Sequence, residues 1–191
     1  MDNPLIELLS TRRSVKPDKL GPPGPTPVEL ETILTIAARV PDHKKLVPWR
    51  FIVFECDARA RFGEIIAQAC IAVETKAPSE MRLATERERL MRAPIVVAAI
   101  SHVIERRGAP EWEQVLSAGA GCFSLCLAAN AMGYGASWIT EWIAYDPQVR
   151  AALGLADNER VAGFINIGTP VERSGERERP ALSDIVTQWR G

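Results

Sequence analysis

Residues 115–140, VLSAGAGCFSLCLAANAMGYGASWIT, contain no charged side chain, and the fold turns on how this stretch is read. About 20 apolar residues are enough for an α-helix to cross a bilayer. Here, however, Gly119, Gly121, Gly133 and Gly135 interrupt the run, as do Ser117, Ser124, Ser137 and Asn130. Alanine, rather than leucine or isoleucine, is the commonest apolar residue of the stretch. A helix apolar on every side is equally at home inside a protein or an oligomer. The composition therefore predicts a buried central helix from about Pro110 to Met132, and no membrane span. Gly133 and Gly135 suit a helix C-terminus and a tight turn. They follow a helix and lack the third glycine of a dinucleotide fingerprint, which argues against a Rossmann site.

Outward from this helix, residues 51–54 and 95–100 are continuous apolar runs suited to buried strands. Residues 138–142 predict a third strand, and residues 161–167 a last one before Gly168-Thr169-Pro170. Asn3-Pro4 opens a short helix that carries Leu5, Leu8 and Leu9 and runs into Arg12. Thr26-Pro27-Val28-Glu29 has the form of a capping box, followed at helical spacing by Leu30, Ile33, Leu34, Ala37 and Ala38. That helix stops at Pro41. Further helices are predicted over 58–72 and after Asp146-Pro147. Residues 79–91, with Glu80, Arg82, Glu86, Arg87, Glu88 and Arg89, read as a solvated helix or a mobile flap. No internal repeat or low-complexity linker divides the chain, so residues 1–191 read as a single domain. The C-terminal segment ends with Ile185, Val186 and Trp189, which predicts packing against its own domain or a partner subunit.

Composition excludes several classes. With 23 basic and 24 acidic residues the net charge is -1, so no global field recruits nucleic acid or an anionic membrane. The first residues lack the charged and apolar regions of a secretory signal. Cys56, Cys70, Cys122 and Cys126 form no Cys-x-x-Cys pair and no histidine cluster, so they read as small hydrophobes without a metal. That usage fits a reducing cytoplasm. No Walker loop, His-Glu-x-x-His or nucleophile elbow is present.

Two cationic clusters stand out in a chain of balanced charge. One is Arg12-Arg13-Ser14; the other is Arg177 with Arg179, just before Pro180. Guanidinium forks match phosphate oxygens bidentately, so arginine pairs on short turns make good anion clamps. Residues two apart in an extended segment point the same way, which would let Arg177 and Arg179 face one phosphate.

Between these clusters run Pro41-Asp42-His43-Lys44, Pro48-Trp49-Arg50-Phe51, Gly133-Tyr134-Gly135, Trp138 and Gly168-Thr169-Pro170. In this order the motifs resemble the nitroreductase family of flavin-dependent oxidoreductases, most closely its small bacterial members with a Pro-Asp-His-Lys turn. The resemblance covers nearly the whole chain. It implies an α+β fold with a mainly antiparallel central sheet flanked by helices, and a C-terminal arm crossing a homodimer. The implied cofactor is flavin mononucleotide (FMN), with NADH or NADPH as co-substrate. Arg12, Arg13, Ser14, Arg177 and Arg179 would hold the phosphate. Arg39 and His43 would reach the flavin from the other subunit. Trp138, Ile139 and Thr140 would lie beside the isoalloxazine, where backbone amides can meet its N5 or O4.

The chain departs from family patterns at two places. Lys45, Leu46, Val47, Pro48 and Trp49 stand where many members have Asn-x-Gln-Pro-Trp, and Ile139 stands where close relatives often have arginine. The implied activity is ping-pong hydride transfer from NAD(P)H to a nitroaromatic, quinone or similar small electron-poor acceptor. The flavin carries the chemistry, so no catalytic side chain is required. Flavin fragmentation, dehalogenation and non-enzymatic flavin binding are the rival readings.

Overall fold

The computed structural model describes residues 3–172 and 174–191. A five-stranded antiparallel sheet carries helices on both faces. The strands are β1 (Leu20–Gly21), β2 (Trp49–Phe54), β3 (Ile95–His102), β4 (Gly135–Ile139) and β5 (Glu159–Pro170). Their order is β1-β5-β3-β2, with β4 also paired to β5. The helices are α1 (Pro4–Thr11), α2 (Pro27–Ala37), α3 (Asp57–Val73), α4 (Glu80–Arg87), α5 (Glu111–Ala131), α6 (Pro147–Ala152) and α7 (Leu182–Ile185).

β3 shows why the sheet needs two helical layers. Its Val96, Ala98 and Ile100 join one core with Phe62, Ile66 and Ala69 of α3 and Val149 of α6. Its Ile95, Val97 and Ala99 join a second core with Ile33 and Ala37 of α2 and Cys122, Leu125 and Ala129 of α5. Side chains alternate across a strand, so a continuous apolar run is stable only when both faces are covered. α5 is long and apolar enough to cross a membrane, yet half of its apolar window is buried within the fold. The small residues of the stretch let it lie close to sheet and helix.

The local signals act as their chemistry requires. Asn3 caps α1 by accepting from the Leu5 amide at 2.9 Å. The capping box of α2 is complete, with Thr26 accepting from the Glu29 amide and Glu29 accepting from the Thr26 amide. Asp146 caps α6 by accepting from the Gln148 and Val149 amides.

Three expectations need correction. Among the described residues β2 is an edge strand paired only with β3, and of its residues Phe54 alone is buried. The third strand is Gly135–Ile139, not 138–142, because the chain turns sharply at Glu141 (φ 56°). Nor is 79–91 a solvated segment. Glu86 is fully buried and Arg89 nearly so, each neutralised by the other, and Gly63 of α3 touches the Arg87 carbonyl so closely that a Cβ would collide with it.

Candidate functional site

Where α1 ends, the chain joins the free edge of β4. Ser14 forms a parallel bridge with Ala136, and the Val15 amide donates to the Ala136 carbonyl at 3.0 Å. This fixes Arg12 and Arg13 at the mouth of a cavity of about 460 Å³, also lined by Glu7, Asn130, Tyr134 and Ser174. The two arginines differ in commitment. Arg13 donates to the Gly175 carbonyl and lies 3.6 Å from the Glu176 carboxylate, while Ser174 Oγ donates to the Ser14 carbonyl at 3.5 Å. Arg12 has no carboxylate partner among the described residues; its guanidinium lies 5.7 Å from the centre of the Phe123 ring on α5. Arg12 is thus the uncommitted fork.

The C-terminal arm therefore meets the N-terminal turn, but through residues 174–176. Arg177 and Arg179 are exposed, and no described contact carries their side chains into the cavity. The arm beyond is exposed throughout, with Trp189 at 89%.

One helical turn from Phe123 along α5 comes Gly119, and over it lies Trp138 of β4. A Cβ on Gly119 would touch the indole Cη2 at 3.8 Å. Trp138 borders a largely apolar cleft of about 430 Å³ with Val115, Leu116, Gly119, Ser101 and Arg160. The buried Ser101 hydroxyl in its wall has no hydrogen-bond partner among the described residues. Arg12, Phe123, Gly119 and Trp138 therefore mark one track along the exposed side of α5. Trp138 is held by its indole N–H, which donates to the Ala162 carbonyl at 3.0 Å. Ala162 has no partner in the β3 register, which shifts at Ala99 and Ile100, so the bulge exposes that carbonyl.

Beyond Trp138 the backbone amides become available. Ile139 closes β4, and the N–H groups of Thr140, Glu141 and Trp142 meet no acceptor among the described residues. Glu141 adopts φ 56° and ψ 178°, a region glycine occupies readily and other residues do not. Its carboxylate is gripped by Arg89 at 2.7 Å and Arg92 at 2.9 Å. Burial raises its pKa, but the hydrogen bonds and charges of Arg89 and Arg92 prevail and leave it lowered.

The Pro-Asp-His-Lys turn is pinned to the start of α5. Ser117 donates to the Pro41 carbonyl at 2.6 Å, and His43 Nδ1 lies 2.5 Å from the Glu113 carboxylate. Asp42 accepts from the Leu46 and Val47 amides, both at 2.9 Å, which supports left-handed backbone at Lys44, Lys45 and Val47. Arg39 and His43 are exposed, and no described contact joins either to Arg12 in the same chain. The residues that the sequence reading missed are Glu141, Arg89 and Glu86. The Glu-x-x-Arg spacing of 86 and 89 was visible, but not its burial or its reach to Glu141.

Sheet, central helix and cleft define a class of α+β folds in which one long helix supports an open, cation-edged groove. The chain belongs to the nitroreductase family: the Nitroreductase family model matches residues 9–169. It is 34% identical over 165 residues to the Escherichia coli K12 protein named "Putative NAD(P)H nitroreductase YdjA", covering 86% of this chain and 87% of that one. Among solved structures, a nitroreductase-like family protein from Bacillus cereus shares the fold with a TM-score of 0.84 at 18% identity, covering 100% and 98% of the two chains. A protein from Desulfovibrio desulfuricans described as "a putative nitroreductase in complex with fmn" superposes with a TM-score of 0.74 at 21% identity over 100% and 99% of the two chains.

Proposed function

We propose that this chain is an FMN-dependent NAD(P)H oxidoreductase that works as a homodimer. The observation that carries the reading is Arg12: a guanidinium fork without a carboxylate partner, at one end of a track along α5 that leads to Trp138. The donor set fits FMN. A phosphate needs cations, which Arg12 offers at the mouth of the cavity, and N–H or O–H donors, which the adjacent exposed Ser14 would add. A flat ring needs an apolar surface and a few polar contacts, offered by Gly119, Trp138 and the uncommitted amides of Thr140, Glu141 and Trp142. These amides serve whatever the side chain, so Ile139 in place of an arginine costs a side-chain contact and leaves the backbone donors intact.

Arg13 plays a supporting part, holding the arm through Gly175 and Glu176. That hold would bring Arg177 and Arg179 towards the phosphate once the arm packs on a partner. The apolar surface supports a dimer. α5 exposes Trp112, Leu116 and Phe123; α1 exposes Leu5 and Leu9; the arm exposes Leu182, Ile185, Val186 and Trp189. Exposed apolar patches of this extent mark interaction sites. Arg39 and His43, which make no described contact with Arg12 in their own chain, would then reach the flavin of the other subunit. Both cores are built on one sheet, which supports a single domain over 1–191. Four free cysteines, with burial pushing Cys122 up to about 12, fit a reducing cytoplasm.

Bound FMN would supply reversible hydride transfer, letting NADH or NADPH and then a nitroaromatic, quinone or similar acceptor use one cleft in turn. The protein's own work is to bind the phosphate, present amides to the ring and exclude water from its face. Sedimentation velocity followed at flavin wavelengths tests the assembly. FMN migrating with a dimer, one per chain, supports the reading; a monomer that leaves FMN unbound contradicts it.

A further inference from the structure

From α4 to the turn after β4 runs a chain of charges that no binding role has claimed. Glu86 of α4, with no exposed surface, accepts from Arg89 through both oxygens at 2.5 Å, and Arg82 pairs with the same carboxylate. Arg89 turns its remaining nitrogen to Glu141 at 2.7 Å, and Arg92 reaches the same Glu141 oxygen at 2.9 Å. Arg92 is itself fixed by donating to the Arg89 carbonyl at 2.8 Å. Arg82 closes the far end on Glu74 at 3.1 Å. Three cations and three carboxylates balance, so the cluster is neutral as a whole. Removing two charges from water is costly and is tolerated when geometry and hydrogen bonds are near ideal. A solvated helix had no need of such an arrangement.

Its endpoint shows what it does. Glu141 occupies a backbone region that only glycine visits cheaply, directly after Trp138, Ile139 and Thr140. Strained residues persist when their surroundings over-determine them, and the two-arginine grip on the Glu141 carboxylate is that constraint. The same turn carries the three amides without acceptors, at residues 140, 141 and 142.

We propose that Arg89, braced by the buried Glu86, is a positioning residue of the flavin site: by holding the Glu141 carboxylate it fixes the turn whose free amides contact the flavin ring. This rests on the FMN reading given above. Arg89 and Glu86 touch neither substrate nor cofactor; they act through Glu141. The 79–92 segment thereby sets the hydrogen bonding, and so the redox poise, of the bound ring.

The test compares wild type, Glu141→Ala, Glu141→Gly and the double variant Glu86→Gln/Arg89→Met by thermal unfolding, FMN titration and the midpoint potential of bound FMN. Loss of one well-aligned hydrogen bond to the ring corresponds to about tenfold weaker binding. Glu141→Ala should show that loss together with a shifted potential, and the double variant should shift the potential in the same direction. Glu141→Ala is the decisive member, since it keeps the strained backbone but lacks the carboxylate, whereas Glu141→Gly accepts the backbone without strain and should stay closer to wild type. If Glu141→Ala matches wild type in affinity and potential, local chain geometry alone sets the turn and the proposal fails. Variants that melt earlier but keep the wild-type potential overturn it as well, since the cluster would then serve stability only. A wild type that binds no FMN overturns both this proposal and the cofactor reading, whereas unaltered variants beside a binding wild type overturn this proposal alone.

Discussion

Trp138 lies so close over Gly163 that a Cβ on the glycine would stand 2.0 Å from the indole nitrogen. The bare backbone of β5 is thus the seat of the aromatic ring that borders the cleft. The bulge beside it supplies the Ala162 carbonyl that accepts from the indole. Gly163→Ala therefore forces Trp138 out of its place. Overfilling a packed site costs about 1–3 kcal/mol, and thermal unfolding should show a loss of that order. FMN affinity should fall with it, because the ring's neighbour has moved. Trp138→Phe, which leaves room over the glycine, should retain more stability than Gly163→Ala.

Arg12 and Arg13 are adjacent in sequence and unlike in role. Arg12→Ala removes the uncommitted fork and should weaken FMN binding by roughly ten- to a hundredfold, the range for lost hydrogen bonds to a charged group. Arg13→Ala should affect binding less but should release the arm that it holds at Gly175 and Glu176. Limited proteolysis checks the second part: cleavage after residue 174 should be faster in Arg13→Ala than in Arg12→Ala. Equal FMN affinities for the two variants would contradict the division of labour.

Acid stability follows from Arg50 and Glu159, which join β2 to the start of β5. Arg50 donates to both carboxylate oxygens, at 2.6 and 2.8 Å, and pushes the Glu159 pKa down from 4.5 to about 2. A depressed carboxyl contributes its stability above its unfolded pKa. That contribution is lost as pH falls from about 4.5 through about 2. The exposed side of Arg50 weakens the pair, so about 2 kcal/mol is at stake. Unfolding free energy measured between pH 5 and pH 2 should fall more steeply in wild type than in Glu159→Gln.

Much of this was legible in the chain itself. Asn3-Pro4, the Thr26 capping box and Asp146-Pro147 are local devices, and each starts its helix where it is written. The uncharged stretch over 115–140 was readable because small residues and alanine mark a helix packed within protein. The two arginine clusters suggested a shared anion site; the fold brings the N-terminal turn against residues 174–176 of the arm and leaves Arg177 and Arg179 exposed. What escaped were facts of three-dimensional placement. The charges of residues 79–91 look solvated in one dimension; only the fold shows that Glu86 and Arg89 neutralise each other beneath Glu141. The end of β4 was misplaced because a non-glycine residue with φ 56° leaves no trace in composition. Burial of residues 51–54 was overestimated, since an apolar run does not reveal whether a strand lies at an edge.

The most direct test is an absorbance spectrum of the purified chain reconstituted with FMN, followed anaerobically as NADH and then NADPH is added. The account predicts a bound flavin whose visible bands bleach with one or both donors and return when a quinone or nitroaromatic is admitted. A chain that takes up no FMN, or holds FMN that neither donor can bleach, would contradict it.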